Sequence, residues 1–211
     1  MNQNQLNQAR GMVYQLLSSL FAKEIDDTLL AQLTSADALN FWANLGNDPK
    51  LEDDVKQIVA TLTSIKSEND LLELAADYCS LFLVGGKHSA NPYASLYLTD
   101  EDADKVNVFG EQHHLMSQFL KQSKLEVKSD FPEPADHIAV ILSYVNTLCT
   151  SSDQAKQLEF IQNLLGTWVD HFAQRVAAKD QGKFYTHLSH LTQNWIAGDL
   201  DWLQEETKQS A

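Results

Sequence analysis

From Leu6 the apolar side chains recur as Leu6, Ala9, Val13, Leu16, Leu17, Leu20 and Phe21, and this spacing of three and four places them on one face of a long amphipathic helix. A second stripe, Leu51, Val55, Ile58, Val59, Leu62 and Ile65, follows Asp48-Pro49, a pair that reads as an N-cap with proline at the first helical position. Ser67 is placed to cap a third helix whose face carries Leu71, Leu74, Ala75, Tyr78, Leu81 and Phe82, ended by Gly85-Gly86. After the loop GGKHSANPYASLY, Thr99 opens TDEDADKVNVFGEQHHLMSQFL. Its acidic residues suit the positive end of the helix dipole, and Val106, Phe109, Met116, Phe119 and Leu120 are expected to face inward.

The periodicity lapses through residues 121–132, which are polar, contain lysines and run into Pro132 and Pro134. Beyond them the pattern predicts helices over about 134–150, 153–166, 167–180, 183–197 and 199–207, with Gly198 as a C-terminal stop between the last two. No alternating run calls for a strand, and no repeat of fixed period points to a solenoid. The expected fold class is all-α: a globular helical bundle with lobes at 1–120 and 133–211 joined by a hinge at 121–132. Two lobes packed through apolar faces can exchange across such a connector, so a monomer coexisting with a domain-swapped homodimer is expected.

With 44% hydrophobic residues, nine Phe, six Tyr and four Trp, the chain can offset the entropy cost of ordering. Its formal charge of −14 repels phosphate backbones, and no basic patch compensates, so nucleic acid is not an expected partner. The same charge attracts a basic peptide. The N-terminus MNQNQLNQARGMVYQLL lacks the features of a secretory signal, which points to the cytoplasm. The most apolar stretch, 71–84, contains Glu73 and Asp77 and is too short to cross a bilayer, so no membrane span is expected. Cys79 and Cys149 lie in helical patterns without CxxC spacing and read as buried free thiols.

The stretch DFPEPADHIAVILSY, residues 130–144, raises the question of catalysis. A helix starting near Pro134 would bury Ile138, Ile141, Leu142, Val145 and Leu148 and expose Asp136 and His137 in its first turn. Neighbours on a helix project about 100° apart, so Asp136 is badly placed to orient the imidazole of His137. Two readings remain: Asp136 complements the helix dipole, with His137 a bystander, or a rigid turn displays both groups to a cationic partner. An enzyme using His137 as general base, assisted by Asp136 or Tyr93, is the alternative from another class.

Other chemistry finds less support. Glu111 and His114 have the spacing of one half of a di-iron site, but no second half occurs. His187 and His190 sit three apart without a further ligand set, so no metal site is expected. Walker and GxSxG motifs are absent from the sequence. The loop NPYASLY combines tyrosines with a rigid proline and suits either peptide contact or the pinning of two helices.

Taken together, DYCSLFLVGG, NPYASLYL and above all EPADHI resemble the TorD/DmsD family of redox-enzyme maturation chaperones. The likeness runs from YQLLSSLF at 14–21 through WVDHF at 168–172. The resemblance implies a cytoplasmic all-helical chaperone rather than an enzyme, with no catalytic residue and no cofactor of its own. Its client would be a molybdenum oxidoreductase exported by the twin-arginine pathway, with trimethylamine-N-oxide reductase the client of the nearest branch. The chaperone would bind the signal peptide and apoprotein until the molybdenum cofactor is inserted. The implied peptide-binding residues are Glu133, Pro134, Asp136 and His137 of the signature, and Pro92, Tyr93 and Ser95 of the mid-chain loop. Guanine nucleotide binding is implied for some members, without a motif in this chain to locate it.

Overall fold

The N-terminal stripe forms α1, Gln3–Ala22, whose buried side includes Val13, Tyr14, Leu17, Leu20 and Phe21. In the computed structural model, which describes residues 2–98, 109–127 and 131–209, nine further α-helices follow. They are α2 Asp27–Leu33, α3 Ala36–Leu45, α4 Glu52–Ser64, α5 Glu68–Tyr78, α6 Glu111–Gln122, α7 Ile138–Ser151, α8 Gln154–Leu164, α9 Val169–Lys179 and α10 Phe184–Gln209. The described residues contain no strand, only an isolated antiparallel bridge between Tyr93 and His137. The fold class is all-α, as the periodicity predicts.

The chain divides into two compact units, one of Met1–Ala22, Pro92–His171 and Ala197–Ala211, the other of Lys23–Asn91 and Phe172–Ile196. Each is built from non-contiguous segments. The connector expected at 121–132 falls within the sequence span of the first unit, and its residues 128–130 lie outside the described residues.

In the first unit α1 packs along α7. Ile138, Ile141, Leu142, Val145 and Leu148, the stripe expected of α7, are all buried. The two helices approach closely at Gly11, where an added Cβ would lie 2.6 Å from Asn146 Oδ1. At Ser18 the hydroxyl donates to the Ala139 carbonyl at 2.7 Å.

The same unit contains a buried polar cluster. Arg10 donates through Nε and Nη2 to both carboxylate oxygens of Asp199, and through Nη1 to Gln157 Oε1 at 2.7 Å. The Tyr14 hydroxyl also donates to Asp199, at 2.8 Å. The guanidinium lies over the Trp202 ring, 4.6 Å from its centroid.

In the second unit the helix starts follow capping chemistry. Asp26 accepts from the Leu29 amide to cap α2, and Ser35 from the Ala38 amide to cap α3. Ser67 and Asp70 form the reciprocal capping box expected at α5. After Tyr78 the chain widens into a π-type turn, Cys79–Leu83, closed by the Val84 amide on the Cys79 carbonyl. Gly85 and Gly86 then take φ of 78° and 82°, left-handed values that only glycine adopts freely. Tyr78, Phe82, Phe172, Phe184 and Tyr185 pack edge to face or tilted around this turn.

Four expectations are corrected. The 183–197 and 199–207 segments are one helix, α10. Gly198 is tolerated inside it at a cost of about 1 kcal/mol because the apolar face continues on both sides, with Ile196 and Leu203 buried. Asp48-Pro49 does not begin α4; Asp48 instead accepts from the Lys50 amide in a turn that precedes Glu52. Phe109, expected to face inward, is 60% exposed, because α6 starts only at Glu111 and leaves it ahead of the helix. Cys79 is half-buried, while Cys149 is fully buried with its thiol pushed up to about 12 by burial. The helix expected from Thr99 and its Val106 fall in 99–108, outside the described residues.

Candidate functional site

Two distant segments of the first unit meet where α7 begins. The Ile138 amide donates to the Pro92 carbonyl at 2.8 Å, and the Ala94 amide to the Asp136 carbonyl at 3.1 Å. These bonds lay the 92–97 loop across the 131–138 turn. Within that turn the His137 amide donates to the Pro134 carbonyl at 3.0 Å. Pro92, Tyr93, Ser95, Glu133, Pro134, Asp136 and His137 are thereby brought together.

The helix starts at Ile138, not near Pro134, and His137 is its N-cap. Asp136 and His137 are therefore not exposed in a first turn: they are 0% and 3% exposed. The physical reason is the bridge, which covers the turn with a loop that helical periodicity cannot anticipate.

His137 Nδ1 accepts from the Ala139 amide at 3.1 Å, satisfying one of the free donors of the helix start. This places the proton on Nε2 and keeps the ring neutral. Tyr93 and Phe131 each meet the imidazole edge to face, with centroids 5.2 Å away. Burial alone pushes the His137 pKa down to about 3. A general base needs a free lone pair and a pKa near the working pH. His137 has neither, its Nδ1 lone pair being occupied by the helix start.

Asp136 is committed elsewhere. Its Oδ2 accepts from the Ser95 amide at 3.0 Å and from the Ser95 hydroxyl, while Oδ1 is buried without a hydrogen-bond partner among the described residues. Burial raises its pKa, and the Ser95 bonds oppose that rise. The carboxylate thus braces the 92–97 loop and does not orient His137.

The polar edge of the assembly is Glu133, whose Oε2 accepts from the Tyr93 hydroxyl at 2.6 Å. Both residues are half-buried. Two further participants, Phe131 and His113, escape helical pattern reading. His113 Nδ1 accepts from the Ala135 amide at 2.9 Å. The one sequence clue was its place beside His114, in a stretch read above as a helix and weighed for metal spacing.

Among the described residues no group of three or more His, Cys, Asp or Glu could hold a metal ion. His187 instead faces Asp54, with 2.9 Å between Nδ1 and Oδ1. No described helix is long and apolar enough to cross a membrane.

In this all-helical chain the buried polar groups of the signature brace a turn, and Asp136 and His137 are not assembled as a catalytic pair. Residues 47–174 match the family model described as nitrate reductase delta subunit. The chain is 54% identical to the chaperone protein TorD of Shewanella pealeana, covering 96% of this chain and 93% of that one. It is 46% identical to the TorD of Shewanella oneidensis (97% and 95% covered) and 43% identical to that of Colwellia psychrerythraea (93% and 92%). The crystal structure of an Archaeoglobus fulgidus chain, assigned to the redox enzyme maturation proteins, superposes with a TM-score of 0.52 at 18% identity, covering 92% and 93% of the two chains. That likeness carries the fold. The chain belongs to the TorD family of chaperones and is not an enzyme.

Proposed function

We propose that this chaperone acts in the cytoplasm on a molybdenum oxidoreductase, with trimethylamine-N-oxide reductase as client, and binds its twin-arginine signal peptide and apoprotein until the cofactor is inserted. The observation that supports this reading is the Glu133–Tyr93 pair, half-buried on a turn held rigid by Asp136, Ser95 and His137. A carboxylate beside an aromatic ring offers a guanidinium both a charged acceptor and a π face. Bracing the pair beforehand lowers the ordering cost of capture. In this reading Glu133 and Tyr93 touch the peptide, while Pro92, Ser95, Pro134, Asp136 and His137 hold them in place.

Isothermal titration with a twin-arginine signal peptide should give saturable binding. Changing both arginines to glutamine should weaken it by about tenfold or more, the loss of one well-formed charge-assisted hydrogen bond. Glu133→Gln should produce a loss of the same order. Equal affinity for both peptides would remove the role of charge. A homodimer exchanged through 121–132, coexisting with the monomer, belongs to the same proposal and is read by light scattering across concentration.

A further inference from the structure

The signature turn hangs on two imidazoles that use the same atom in the same way. His137 Nδ1 accepts the Ala139 amide from inside the turn, and His113 Nδ1 accepts the Ala135 amide from α6. Burial keeps His137 neutral down to about pH 3. His113 is half-buried, edge to face with Phe109 and with His114 at centroid distances of 5.1 and 5.5 Å. Ala135, whose amide it holds, is buried. A buried amide deprived of its acceptor is costly, so the Ala135 bond is a real constraint on the turn.

The same ring has a second polar neighbour. His114 on α6 lies against the ring, and Asp136 in the turn is near enough to interact with it electrostatically. Glu133, in the same turn, is engaged by Tyr93. Asp136 Oδ1 is buried without a hydrogen-bond partner among the described residues. A neutral His113 can accept from Ala135 through Nδ1.

We propose that His113 is a positioning residue of the client site: it fixes the 133–137 turn through the Ala135 amide. The inference rests on the client-binding reading above and adds to it a residue on a different helix. His113 touches no peptide in this scheme. It acts through the placement of Glu133, two residues from the amide it holds.

The test compares the full chain with His113→Asn and His113→Ala. Asparagine supplies an acceptor at the Nδ1 position that does not titrate, and alanine supplies none. Hydrogen exchange at the Ala135 amide, expressed as protection, should fall about tenfold in His113→Ala and stay near wild type in His113→Asn. Titration with the signal peptide should weaken about threefold to tenfold in the alanine variant, the range of one lost hydrogen bond, and change less than twofold in the asparagine variant. His113→Gln, whose acceptor stands nearer the Nε2 position, should lose protection and affinity as the alanine variant does, and it decides the proposal if the alanine variant fails to fold. Wild-type protection and affinity in His113→Gln, or alanine-like losses in His113→Asn, overturn it. Full affinity in a folded alanine variant with lost protection also overturns it. If wild type binds no peptide, the client-binding reading falls, while Ala135 protection still reports whether His113 holds the turn.

Discussion

Arg10 and Asp136 are both ionisable side chains removed from water in the same unit, and their surroundings differ in a way that separates scaffold from site. Around Arg10 every strong group is answered: Asp199 takes two guanidinium bonds and the Tyr14 hydroxyl, and Gln157 takes a third from the guanidinium. Around Asp136 the answer is incomplete. One carboxylate oxygen is held by Ser95 and the other has no partner among the described residues. The neighbouring imidazole is driven far below its usual pKa by burial. A closed polar cluster specifies one packing of its helices, whereas an incompletely satisfied one carries a desolvation cost that its own hydrogen bonds do not offset.

The comparison breaks most sharply at Arg10. Replacing it with methionine strands the Asp199 carboxylate in the interior, and urea unfolding should show a loss of about 3–5 kcal/mol. The double replacement Arg10→Met with Asp199→Leu should recover much of it, because no charge is then left buried. A single variant as stable as wild type would mean that the cluster is not closed in solution.

The next effect is set by pH. His137 has its folded-state pKa depressed to about 3 from 6.5, so its contribution to stability is complete above pH 6.5 and is lost as pH falls toward 3. Between pH 7 and pH 5 this one group should cost wild type about 2 kcal/mol. His137→Asn keeps an N-cap acceptor for Ala139 and should flatten that slope. Asp136 acts with the opposite sign, since its raised pKa means that protonation relieves the burial of its charge. The smallest effect is expected from Asp136→Asn, which removes that charge but leaves an acceptor for Ser95. Its unfolding midpoint should correspond to a change under about 1 kcal/mol, in contrast to the Arg10 variant.

How much of this was legible in the sequence differs between elements. The stripes of α1, α4, α5 and α7 were readable because each buries one face at helical spacing. The short helices α2 and α3 were missed although Asp26 and Ser35 cap them; seven and ten residues give too few repeats for a period to stand out. Gly198 misled because a mid-helix glycine and a C-terminal one look alike until the flanking packing is known. At the site, the resemblance supplied both halves, NPYAS and EPADH, yet neither half contains the bridge that joins Tyr93 to His137. Burial of Asp136 and His137 is a property of that pairing, and so is the capture of Ala135 by His113. Local patterns carry no record of which distant loop will lie over a turn.

The Arg10–Asp199 pair joins residues 189 positions apart. At about 5–20 residues per second, a ribosome adds Asp199 roughly 10–40 seconds after Arg10. For all of that interval the Arg10 segment lacks the carboxylate that pairs with it in the fold, and its apolar face waits for α7 as well. The stretch that carries Arg10 is thus made well before the residue that completes its polar cluster, and during its own synthesis this chaperone presents the kind of unfinished segment that chaperones are built to cover.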